Sequence, residues 1–113
     1  MTQILSPLKR PLGDYISTLA VEALAEKFGW YLEKVSPTQK CLMSAVLADH
    51  LAGGSDCYTI TDSLHCIDPD GVLEAELSDA IVRIANENSN AALADLLRAL
   101  ADMISNDIAT SQD

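Results

Sequence analysis

Aromatic residues are scarce in this chain: one Trp, three Tyr and one Phe in 113 residues, against a hydrophobic content of 49%. A sheet built on β-branched and aromatic side chains is disfavoured by that composition, and frequent alanine favours closely approaching helices instead. Long apolar runs are missing as well. Nothing approaches the roughly 18 to 20 consecutive apolar residues of a membrane span, and Met1 to Gly13 lacks the apolar centre of a signal peptide. A cytoplasmic protein with no membrane association is expected. Cysteine is limited to Cys41, Cys57 and Cys66, and an odd count without a secretion signal reads as buried free thiols.

Positive charge is the next shortage, and it is unevenly spread. Residues 1–40 balance five bases against four acids, whereas the remainder carries only Arg83 and Arg98 against thirteen acids, a balance of −11 within a net charge of −10. Such a surface repels phosphate backbones, so direct nucleic-acid binding is not expected; a basic protein partner would be attracted and steered.

What remains is helical pattern. At this length the chain forms one core. An N-terminal arm over 1–13, with two prolines and a glycine, precedes a single helical domain over 14–110 and a frayed tail over 111–113. The expected fold is an all-α bundle of four main helices. Asp14 starts the first, over 14–35, with Ile16, Ala20, Leu24, Phe28, Tyr31 and Val35 on one stripe and Gly29 tolerated on the solvent side. The second, over 37–52, is central: Ser36 caps it, Pro37 takes its first position, Gln39 completes a capping box, and apolar residues run most of the way round before Gly53-Gly54 ends it. Asp68-Pro69 starts the third, over 69–87, with Leu73, Leu77, Ala80 or Ile81, and Ile84 facing inward. Ser89 or Asn90 caps the fourth, over 91–109, with Leu93, Leu97, Leu100, Ile104 and Ile108 inward and Asp95, Asp102 and Asn106 outward. Gly53 to Ile67 admits both a short helix and an ordered loop; the spacing of Cys57, Ile60, Leu64 and Ile67 favours the helix.

Chemistry-bearing residues concentrate between Cys57 and Glu76. Cys57, Asp62, His65, Cys66 and Asp68 are zinc-ligand types, but Cys57 and Cys66 stand nine apart rather than in a close pair. Asp68-Pro69-Asp70-Gly71 resembles a calcium loop only until Gly71 is aligned, which places Cys66 at the first ligand and Leu77 at the bidentate one. Capping by Asp68 and a first-turn role for Asp70 explain the same residues. His50 and His65 belong to no nucleophile signature, and His50 suits the C-terminal end of the second helix dipole. No glycine-rich phosphate loop opens a helix. No enzyme, cofactor or metal is expected.

The expected function is therefore that of a small acidic, non-catalytic regulatory or adaptor protein docking on a basic partner through Asp62, Asp68, Asp70, Glu74 and Glu76 at the start of the third helix. Trp30 and Tyr31, on a first helix whose apolar arc is wider than one neighbour covers, are expected to serve a homodimer or a second protein contact. The alternative is a ligand- or metal-binding helical protein, or an enzyme subunit, using the Cys57–Asp70 segment.

Overall fold

The computed structural model describes residues 11–15, 18–53 and 59–111. Its elements are a 3-10 turn over Leu12–Asp14 and five α-helices: α1 (Leu19–Phe28), α2 (Pro37–Gly53), α3 (Ile60–Ile67), α4 (Ala75–Glu87) and α5 (Asn90–Ser111). There is no strand among the described residues, and the chain is an all-α globule. Among the described residues no helix is long and apolar enough to cross a membrane.

The core is made from the inward faces of all five helices. Val21 and Leu24 of α1, Met43, Val46 and Leu47 of α2, Leu77, Ile81 and Ile84 of α4, and Leu93, Leu96 and Leu100 of α5 are all buried. α2 packs along α5 and α3 and touches α4, while α1 rests on α4 and the 3-10 turn. The expected central helix is thus in place, starting at Pro37 as expected and running one residue further, through Gly53, and Ser36 Oγ accepts the Gln39 N–H at 3.2 Å as its cap. It is not buried all round, however. Cys41, Ala48 and Ala52 face outward, because α1 packs elsewhere and leaves one side of α2 uncovered.

The first helix is shorter than its apolar spacing suggests. Thr18, not Asp14, is the N-cap, and the helix stops at Phe28 because Gly29 adopts φ +100°, a conformation that L side chains rarely take. Residues 29–35 then form consecutive turns, with Leu32 N–H bonded to the Gly29 carbonyl and Val35 N–H to the Leu32 carbonyl, both at 3.0 Å. Leu32 and Val35 still reach the core from those turns. A stripe in steps of three and four is satisfied by successive turns as well as by one helix.

The third main helix also starts later, at Ala75 rather than Pro69. Asp68 closes α3 as its C-cap, and Gly71 N–H returns to the Asp68 carbonyl at 3.2 Å, making Asp68-Pro69-Asp70-Gly71 a turn. Asp first, Pro second and Gly fourth is a turn signature. It prevails here over the capping reading because the Asp68 carboxylate accepts Val72 and Leu73 N–H at 2.8 and 2.9 Å, holding an extended loop before α4.

α3 exists as a short helix, opened by a capping box in which Thr59 Oγ1 accepts Asp62 N–H and the Asp62 carboxylate accepts Thr59 N–H. α5 starts as expected, with Ser89 Oγ accepting Ala92 N–H at 3.2 Å. Its buried stripe is rotated from the expected one: Leu96, Ala99, Met103 and Asn106 are inside with Leu93 and Leu100, Leu97 and Ile104 are half-buried, and Ile108 is exposed. A 22-residue helix meeting α2 and α4 at once buries a broader and differently centred arc than a single i, i+4 row. Asn106 is accommodated by donating its Nδ2 hydrogen to the Asp102 carbonyl.

Candidate functional site

The connection between α3 and α4 gathers four of the five expected docking acids. Asp68 ends α3, Asp70 lies in the turn, Glu74 is the N-cap residue of α4 without a side-chain cap bond, and Glu76 stands in the first turn of α4. Asp62 is at the opposite end of α3, six residues from Asp68 and so about 9 Å away along the axis. The acids differ in their ties. Asp62 and Asp68 hold backbone N–H groups, which fixes their carboxylates without cancelling their charge. Glu76 pairs with Lys27 of α1. Asp70 and Glu74 are exposed, and their side chains have no hydrogen bond or ion pair among the described residues.

The loop that carries them is anchored from α2. Gln39 Nε2 donates to the Val72 carbonyl at 3.0 Å, and Gln39 Oε1 accepts the Glu74 N–H at 2.8 Å. The side chain expected to complete a capping box on α2 is thereby spent on another element, and it orients the acidic loop. Nothing local in the sequence signals this, since Gln39 and Glu74 are 35 residues apart.

Trp30 and Tyr31 are not on a helix but in the turns after α1. The Trp30 ring lies over Gly13, where an added Cβ would come within 3.3 Å of it, and the Trp30 carbonyl accepts the Leu12 N–H at 2.7 Å. With 40% of its surface exposed, Trp30 is half packing residue and half surface. The wide apolar arc expected of one long first helix is thus divided between α1 and these turns.

A buried ion pair escaped the sequence reading. Lys40 of α2 is only 2% exposed, and its ammonium donates to Asp107 Oδ2 of α5 at 2.6 Å. Together with Tyr31 and Lys34 the pair lines an open cleft of about 480 Å³. The available signal was a lysine on a helix otherwise apolar nearly all round.

The zinc-ligand types do not converge. Cys57 lies outside the described residues; His65 and Cys66 are exposed on α3, because Ile60, Ser63, Leu64 and Ile67 occupy its inner side. Cys41 is exposed as well, so the expectation of buried thiols is corrected for both described cysteines. No group of three His, Cys, Asp or Glu side chains able to hold a metal ion occurs among the described residues. His50 stands in the last turn of α2 as expected, with its Nδ1 buried and unpartnered.

No protein-family model, curated protein or solved structure matches this chain.

Proposed function

We propose that this protein is a non-catalytic regulatory or adaptor protein that docks its acidic surface on a basic protein partner. The observation that supports this is how its few cations are used. Lys27, Lys40 and Arg83 are engaged by Glu76, Asp107 and Glu87 of the same chain. Asp70 and Glu74 are left exposed beside Asp68 on a loop held in place by Gln39. A partner bringing lysines or arginines to that loop meets preoriented negative charge. Exposed charges of this kind act mainly on association rate, and they weaken with salt as screening sets in over about 8 Å at physiological ionic strength.

The test is retrieval of a basic protein from native cell extract by the wild-type chain and by the variant with Asp70→Lys, Glu74→Lys and Glu76→Lys. The wild type should recover a partner whose binding falls as salt rises, and the variant should lose it. Equal recovery by both proteins at low and high salt defeats the reading. Self-association is a second reading, supported by the exposure of Leu19 and Trp30; sedimentation showing only a 12.1 kDa monomer at micromolar concentration would rule it out.

A further inference from the structure

The cleft beside the Lys40–Asp107 pair presents donors that the protein itself does not use. An ammonium carries three N–H bonds. One reaches Asp107 Oδ2 at 2.6 Å, and the other two meet no acceptor among the described residues, although the Lys40 side chain is only 3% exposed. Charged donors shut away from water without acceptors are costly, and the open cleft of about 480 Å³ at this point is where acceptors can enter from outside. Lys34 lines the same cleft, exposed and with no hydrogen bond or ion pair of its side chain among the described residues.

The carboxylates of the cleft argue against a bare anion as the matching ligand. Glu33 and Asp107 line it together with Lys34 and Lys40, so two negative charges stand with two positive ones. Asp107 gives one oxygen to Lys40, and Glu33 Oε1 accepts the Tyr31 N–H at 3.2 Å. A carboxylate accepts at about four positions, so one already bonded still attracts a further cation. A neutral lining of this kind, on a molecule of net charge −10, suits a ligand that is itself neutral but dipolar.

We propose that this cleft binds a free α-amino acid as its zwitterion. The ligand's carboxylate takes the two spare N–H bonds of Lys40 and the ammonium of Lys34, and its own ammonium lies against Asp107 and Glu33. An α-amino acid fits because its two charged groups hang on one carbon and lie side by side, as the Lys40 and Asp107 groups do at 2.6 Å. Set head to tail, the two pairs form a square of alternating charge, which is worth most where water is partly shut out. Tyr31 and Pro37 border the cleft with apolar surface for the ligand's side chain. The site shares no residue with the acidic loop and does not depend on that loop docking a partner.

The test is a nitrogen-15 amide titration of the 113-residue chain with L-leucine, N-acetyl-L-leucine, L-leucinamide and 6-aminohexanoate. The second lacks the ammonium, the third lacks the carboxylate, and the fourth keeps both charges but holds them apart. Leucine should bind at least about tenfold more tightly than any of the others, the worth of one charge-assisted hydrogen bond, and should move the amides of Lys34, Val35, Lys40 and Asp107. Lys34→Gln, at an exposed position outside the buried pair, should weaken leucine binding severalfold without moving the urea midpoint. Lys40→Met should abolish it while the circular dichroism spectrum stays helical. Equal binding of leucine and N-acetyl-leucine makes this an oxyanion site and overturns the proposal. Equal binding of leucine and leucinamide means that the lysines do not read a carboxylate, and overturns it too. No amide shift with millimolar leucine, or leucine binding unchanged in both variants, removes the site altogether.

Discussion

Gly29 shows how one residue decides the course of the chain. At φ +100° an alanine would be strained whatever the surrounding space, and its Cβ would also run into the Glu33 side chain. Glu33 can move aside, so the backbone term dominates, and Gly29→Ala should destabilise the protein by about 1–3 kcal/mol in urea denaturation. Leu32, at φ +51° and fully buried, already bears such strain and offsets it with core contact. The Lys40–Asp107 pair makes a second residue-scale prediction. Asp107→Ala strands a buried ammonium, which costs about 3–5 kcal/mol in a sealed site; the 30% exposure of the Asp107 side chain admits water and places the loss at the lower end. Lys40→Met should cost less than Asp107→Ala, because it removes the buried charge and leaves a carboxylate that water can reach. The order of the two urea midpoints checks this, and the reverse order would show that the lysine stem's packing matters more than its charge.

At the scale of elements, the loop from Asp68 to Glu74 connects fold and site. Asp68→Ala withdraws the acceptor of the Val72 and Leu73 N–H groups and should cost about 1–2 kcal/mol. Amide exchange at those two residues should rise in Asp68→Ala and stay unchanged in Asp70→Ala, whose side chain holds nothing in the loop. The same loop shows what the sequence makes legible. Helices with a local start, such as α2 behind Ser36 and α5 behind Ser89, were readable because a cap is a matter of three or four neighbouring residues. The beginning of α4 was not, since Asp-Pro opens both a helix and a turn, and what settles it is two backbone N–H groups returning to Asp68 and the hold of Gln39 from another helix. The end of α1 was hidden for a related reason, because buried Leu32 and Val35 continue its apolar spacing through turns. The acids of the candidate site could be named from charge alone, whereas the Lys40–Asp107 pair and the cleft beside it depend on which helices meet.

For the molecule as a whole, the governing quantity is the net charge of −10 on 113 residues. Folding brings those acids closer together than they are in the unfolded chain, so self-repulsion works against the folded state and is greatest at low ionic strength. Three of the described cations are paired within the chain, and two of those pairs, Lys27–Glu76 and Arg83–Glu87, lie at the surface, where each contributes at most about 1 kcal/mol. Salt weakens these attractions, but it weakens the many unpaired repulsions too, whereas the shielded Lys40–Asp107 pair is screened much less. The repulsive sum should prevail. Thermal unfolding followed by circular dichroism should therefore move to higher temperature as sodium chloride rises from about 10 to 150 mM, over which the Debye length falls from about 30 to 8 Å. The gain should level off beyond that, because the distances between neighbouring surface acids then exceed the screening length. The Asp70→Lys, Glu74→Lys, Glu76→Lys variant carries six fewer units of negative charge, and its salt response should be flatter even though Lys27 loses its partner. A melting temperature that falls with salt in the wild type would mean that the surface pairs outweigh the acidic excess, and the field proposed to attract a basic partner would then be weaker than the charge count implies.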